Sequence, residues 1–386
     1  MIKMLTAHTY EIDDADVALK ELLEQLNMEN NLLKNSIGLL TCYAEFCDNE
    51  LLELLSNALP FDFMGATTLA NATGNEIGQM MLTLSVLTSD TLNFSAAFSE
   101  PLESDKIKDQ LKVAYDSASA KLSGKPSAML TTIPLFYDKA NDDVVNILND
   151  ISGGIPIFGT IAVDHMPDYS LTRSIFNAQL SRNAICLLLI EGDFEPTFFM
   201  ASVNNDKIFK QRDIITSSAD NQLYEVNNMD VLSYIQSLGL AKDGVIEGVN
   251  SIPFMIDFND GTPPVARAIF ALTPEGHAIC GGAMPEWATL SIASIDDDDV
   301  VSTAKDIVHQ ALSTGKRNGM ILFSCIARNI ALGLNQLSEI EAIQEEINGQ
   351  LPFMMAYSGG EICPMYDNDG KIYNRFHNDT IVGIIF

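Results

Sequence analysis

The side chains best equipped for chemistry gather near the end of this sequence. Between Met320 and Phe386 three apolar runs of strand length each meet a small group of reactive polar residues. MILFSC ends at Cys325, with Arg328 just beyond. LPFMMAY ends at Tyr357, followed by Gly359, Gly360 and Glu361. The last run is entered through His377, Asn378 and Thr380. Cys325 and His377 are a thiol and an imidazole, the types that make a nucleophile and its base. Arg328 and Glu361 are a cation and a carboxylate, and Asp164 is a second carboxylate where GIPIFGTIAVD stops. Ligands settle in the crevice outside strand termini in layered α/β proteins, so the expectation is that these ends converge on a pocket.

The elements that must position them follow from periodicity. Asp13 or Asp14 can cap a helix whose stripe is Leu19, Leu22, Leu23 and Leu26. Residues 104–122, Val144 to Ile151 and Met229 to Leu238 also have helical spacing, and strands dominate from residue 164 to about 226. The aspartates Asp296 to Asp299 precede Val300, Val301, Ala304, Ile307 and Val308, which predicts a helix start with favourable negative charge rather than a calcium loop. Ser338 and Glu341 predict a capping box for the next helix. Three segments share one grammar of apolar strand, helix and proline-led strand: 36–69, 127–164 and 319–363. They predict a mixed α/β fold, with mixed sheets flanked by helices and strand–helix–strand units repeated in both halves.

Bulk composition narrows the function. Lys and Arg number 22 against 52 Asp and Glu, a net charge of −30 that repels nucleic acid and anionic lipid. The six cysteines have no CxxC or metal-finger spacing, which points to reduced thiols and no metal centre. No signal peptide and no apolar run of about 20 residues is present, so the expectation is a cytoplasmic protein without membrane insertion. At 386 residues, two domains are expected.

Several stretches together resemble the FIST family, an N-terminal FIST domain (1–218) followed by a C-terminal one (219–386). The resemblance rests on Phe323-Ser324-Cys325 with Arg328, Pro352-Phe353 leading to Tyr357 and Gly360-Glu361-Ile362, and His377-Asn378-Asp379-Thr380. Gly282-Ala283-Met284-Pro285-Glu286 adds to it, as do Gly65 with Thr67 and Thr68, and Pro156 to Asp164. The sequence departs from the family at Gly159-Thr160, usually a glycine pair, and at Ala327, usually glycine. The resemblance implies a bacterial intracellular sensory module for a small ligand, with an amino acid the leading suggestion. It implies signalling partners or fused outputs such as a histidine kinase, a diguanylate cyclase or a chemotaxis receptor. The apolar ending DTIVGIIF suits a sensor followed by an output domain about as well as a natural stop.

An amino-acid ligand needs a cation for its carboxylate and a carboxylate for its ammonium. Arg328 would take the first role and Glu361 or Asp164 the second, with Tyr357, Gly360, His377, Asn378 and Cys325 completing the site. The bland alternative is an internal ion pair between Arg328 and Glu361. No catalytic residue is expected, since nothing basic lies near Cys325 in sequence to lower its pKa. An enzyme using Cys325 is the competing reading, with His377 as base. No cofactor is expected. A haem-binding nitric oxide sensor is the other alternative, and it would draw an axial ligand from His8, His165, His277, His309 or His377. A hinge for relaying the signal is expected between residues 216 and 250.

Overall fold

The structure, a computed structural model, describes residues 1–135, 141–240 and 252–386. Its frame is three strand–helix–strand units, each built on a parallel pair. Asn35–Cys42 pairs with Phe63–Thr67, Pro126–Ile133 with Ile157–Ile161, and Met320–Cys325 with Phe353–Ser358. The intervening helices are Leu51–Ala58, Asn141–Ser152, and the pair Ile326–Ala331 and Ser338–Ile347. These are the three segments whose shared grammar the sequence displays. Their strands are buried along nearly their whole length, which is why they read as continuous apolar runs rather than alternating ones.

Each parallel pair lies within a six-stranded mixed sheet, and the sheets do not respect chain order. The second sheet joins Ile157–Ile161 to Glu361–Tyr366 and Ile372–His377, while the third inserts Ile381–Ile385 between Thr197–Ala201 and Met320–Cys325. Strands from before and after residue 218 therefore share both sheets. An antiparallel eight-stranded sheet covers much of residues 213–292.

Inward-facing side chains of all three units meet in one core: Leu39 and Met64, Leu130 and Phe158, Phe323 and Met354. The Phe158 and Phe323 rings stack at 5.4 Å. Each fully buried side chain of this size contributes about 1.5–3 kcal/mol. Close approach within the units is set by glycine. A Cβ on Gly65 would lie 2.0 Å from the Leu40 carbonyl oxygen, and one on Gly159 2.3 Å from that of Thr131. Both glycines stand two residues before the end of their pairing, so the first two units share this device. The units converge on an interior cavity of about 20 Å³ lined by residues of all three, among them Thr41, Thr132, Thr160 and Phe323.

Helix termini largely follow the sequence. Asp14 accepts from the Val17 N–H, and Asp296 and Asp299 form a reciprocal capping box. The box expected from Ser338 and Glu341 is not formed. The chain is already turning at Leu337, and the Ser338 N–H is given to the Asn335 carbonyl, so Ser338 never takes the extended conformation of a cap. The expected hinge falls on the paired strands Asp213–Ala219 and Gln222–Val226 and the helix Val231–Ser237, and its last part, 241–250, lies outside the described residues.

Candidate functional site

Two short crossings carry the chain between the second and third sheets, and Gly360, Glu361, His377 and Asn378 lie on them or at their ends. The first is Gly359-Gly360, which takes the chain from Ser358 on the third sheet to Glu361 on the second. Gly360 has φ 149°, a conformation open essentially to glycine alone, and a Cβ there would meet the Phe376 ring at 2.5 Å. The second crossing is Asn378-Asp379-Thr380, which returns the chain from His377 to Ile381. Asp379 bends it with φ 48°. The Cys325 N–H donates to the Thr380 carbonyl at 2.9 Å, pinning the first unit-ending cysteine of the third sheet beside this return.

Strand register fixes which side chains share a face. His377 lies opposite Glu361, Glu361 opposite Thr160, and Thr160 opposite Thr132. Opposed residues in adjacent strands point the same way, so these four form one polar row across the second sheet. Cys363, two residues beyond Glu361, belongs to the central core, so the row faces the layer between sheets. Thr160 donates to the Ser358 hydroxyl at 2.8 Å and so links the row to the third sheet.

The row and the return segment are buried yet poorly satisfied. Glu361, His377 and Asp379 are 0% exposed. Both carboxylate oxygens of Glu361, both of Asp379, both amide atoms of Asn378, His377 Nδ1 and Thr132 Oγ1 have no hydrogen-bond partner in the protein. Buried polar atoms nearly always have partners, so such a concentration calls for an explanation. Burial, then the neighbouring Asp379, pushes the Glu361 carboxyl well above the usual range. Burial raises Asp379 to about 7, against the opposing pull of Arg328. The Cys325 thiol is pushed up by burial and then by both carboxylates, so it is held protonated. His377 is lowered to about 3, mainly by burial and then by Arg267, and its Nε2 faces the Cys363 carbonyl oxygen at 3.3 Å.

The other expected residues are placed elsewhere. Arg328 is buried, and its guanidinium is fully committed: Nε and Nη2 donate to Glu339 Oε1 at 2.9 and 2.8 Å, Nη1 to the Ser202 carbonyl, and Nη2 also to Val300 O and Thr303 Oγ1. The internal ion pair weighed from the sequence exists, with Glu339 rather than Glu361 as its partner. Tyr357 and Ser324 face the helices with this pair; the Tyr357 hydroxyl donates to Gln336 O and Ser324 to Glu339 Oε2. Asp164 is spent on its own loop, accepting from the Met166 and Leu171 N–H groups at 2.6 and 2.8 Å. That loop carries Tyr169, at φ 47°, whose hydroxyl pKa is raised by burial first and then by the proximity of Cys325 and Asp164. Of the five histidines, His8 packs on Tyr10, His165 stacks on Tyr43, His277 meets Tyr224 edge-on and His309 is exposed beside Glu346. Among the described residues no group of three or more His, Cys, Asp or Glu side chains is placed to hold a metal ion.

Sequence reasoning named Asp379 and Thr160 only as residues of the family pattern, without a role in the site, and passed over Thr132, Ser358 and Tyr169. The only advance signal for Tyr169 is a bulky residue in a proline-containing loop. It also missed a second buried ion pair, Arg267 with Asp142 at 2.6 Å, which ties the helix Asn141–Ser152 to the strand Val265–Arg267. Nearby, Asn378 lies against Gly281, where a Cβ would come within 2.3 Å of its side-chain oxygen.

Comparison with known families is decisive on membership. The profile of the FIST N domain matches residues 36–229 and that of the FIST C domain residues 229–364, so the two cover most of the chain. The chain belongs to the FIST family. FIST domains are associated with sensory roles in signal transduction. Glu361 lies inside the matched FIST C range, and His377 and Asp379 lie just beyond it. No curated protein matches this FIST chain. Among solved structures, a cyanuric acid hydrolase aligns over 100% of this chain and 98% of its own at 8% identity and a TM-score of 0.33, a likeness too slight to bear on activity. No helix among the described residues is long and apolar enough to cross a membrane.

Proposed function

We propose that this FIST protein is a cytoplasmic bacterial sensory module that binds a small metabolite bearing an ammonium group, the amino-acid class included, at the crossing between its second and third sheets. The observation that carries the reading is the pair of fully buried carboxylates, Glu361 and Asp379, whose four oxygens have no protein partner. A positive ligand group would satisfy them and offset the cost of burying their charge. Cys325 serves in this reading as a neutral wall of the site rather than a nucleophile, because burial and the two carboxylates oppose its ionisation. The site draws on both sheets, so occupancy can favour one arrangement of the crossings over another. A signalling partner, such as a histidine kinase or diguanylate cyclase, would read that difference.

The test is a thermal-melting screen of the twenty amino acids and common small amines against wild type and Glu361→Gln. A ligand at about 100-fold over its dissociation constant adds about 2.7 kcal/mol, a shift of several degrees. The reading predicts a stabilising compound whose effect is lost in Glu361→Gln. No stabilisation by any compound would overturn it.

A further inference from the structure

We propose that the ligand of this site is a cationic amine that carries no carboxylate. The inference rests on the small-ligand reading above and narrows it.

Two independent observations mark the place as built for a ligand. One is the pair of unpartnered carboxylates, on two different crossings of the chain. The other is that His377 Nδ1 and Thr132 Oγ1, buried and without partners, belong to the same cross-strand row as Glu361 and so face the same layer. Carboxylates, an imidazole nitrogen and a hydroxyl can all accept hydrogen bonds, which suits a donor-rich ammonium.

The charge balance excludes a free acid end. A zwitterion would bring its own carboxylate within two bonds of the ammonium, against Glu361 and Asp379, where like charges repel strongly in a buried site. A counter-cation would be needed, and each nearby described guanidinium is already paired with a carboxylate of its own: Arg328 with Glu339, Arg267 with Asp142, and Arg375, whose buried Nε alone has no acceptor, with Asp260. Every guanidinium nitrogen of Arg328 already donates to Glu339, Ser202, Val300 or Thr303. Every one of Arg267 donates to Asp142 or to the carbonyls of Ala266, Ala283 and Phe376. An amine without a carboxylate meets the acceptors and needs no such partner.

Putrescine and ornithine differ only by a carboxylate and make a matched pair of probes, with butanediol as the uncharged counterpart. Calorimetric titration of each into the full chain, wild type, Glu361→Gln, Asp379→Asn and Glu53→Gln, tests the inference. The expected result is putrescine binding about tenfold or more tighter than ornithine, and no binding of butanediol. Glu361→Gln and Asp379→Asn should each weaken putrescine about tenfold or more, with Glu53→Gln on an outer helix leaving it unchanged. Melting curves confirm folding of each variant. Ornithine or another amino acid binding more tightly than its amine counterpart, with loss in Glu361→Gln, would overturn this inference and leave the sensory reading standing. No binding of any amine or amino acid would overturn both. Putrescine binding untouched by either variant would move the amine to another surface and equally overturn it.

Discussion

Replacing Asp379 by asparagine should stabilise the free protein, and increasingly so as pH rises. Burial holds this carboxyl at about 7 against an ordinary 3.8. A carboxyl whose folded pKa is raised binds its proton more tightly in the native state. Its favourable contribution is therefore complete below 3.8 and is lost as pH climbs through about 7. About three units at ~1.36 kcal/mol each put the full cost of ionising it in place on the order of 4 kcal/mol. Asparagine keeps the shape and cannot ionise. The variant should thus exceed wild type by about 1 kcal/mol near pH 4.5 and about 4 kcal/mol near pH 8.5, with no further change above that. His377 works in the other direction: with its folded pKa lowered to about 3, its contribution is present above 6.5 and lost as pH falls. It is common to both proteins and cancels in the difference. Urea unfolding of both proteins across this pH range reads the gap directly. A gap that does not widen with pH would refute the reasoning that places Asp379 in a site too dry and too acidic for its own charge.

Three further outcomes follow from the same geometry. Glu339→Gln leaves Arg328 buried without its counter-ion and should cost about 3–5 kcal/mol in urea unfolding, whereas Glu361→Gln should cost little or stabilise; equal effects of the two would contradict the assignment of Glu339 as the structural partner. Gly360→Ala forces a side chain into a glycine-only conformation against Phe376, and a loss on the order of 2 kcal/mol is expected by the same assay. Cys325 should resist iodoacetamide at pH 8 in the native protein and react when the chain is unfolded, as mass spectrometry of the labelled peptide would show; rapid native labelling would revive the nucleophile reading.

The three parallel units were legible because a strand buried on both faces leaves a continuous apolar run, and MILFSC, SIGLLTC and SAMLTTI are such runs. The gathering of Glu361, His377 and Cys325 beside the two crossings could be anticipated from polar groups at strand ends. The partner of Arg328 could not. LSEIEAIQEEI offers several glutamates, and only the turn of the helix places Glu339 inward, 11 residues from the arginine. Asp379 reads in HNDT as an ordinary turn residue, and its isolation emerges only when both sheets close over it. The row linking Glu361 to Thr160 and Thr132 depends on Glu361 pairing with Thr160, 201 residues earlier, which no local pattern encodes. Tyr169 reaches Cys325 through a loop fastened by Asp164, and that fastening needs the loop's backbone rather than its composition.

The most direct test of the central claim is a carboxyl-carbon NMR titration of Glu361 and Asp379, assigned through the Gln and Asn variants, with and without saturating putrescine. The account predicts that Asp379 titrates near 7 in the free protein and that Glu361 stays protonated beyond the ordinary carboxylate range. It predicts that both become ionised at lower pH once the amine is bound. Ordinary carboxylate titration near pH 4 in the free protein, unchanged by any amine, would contradict it.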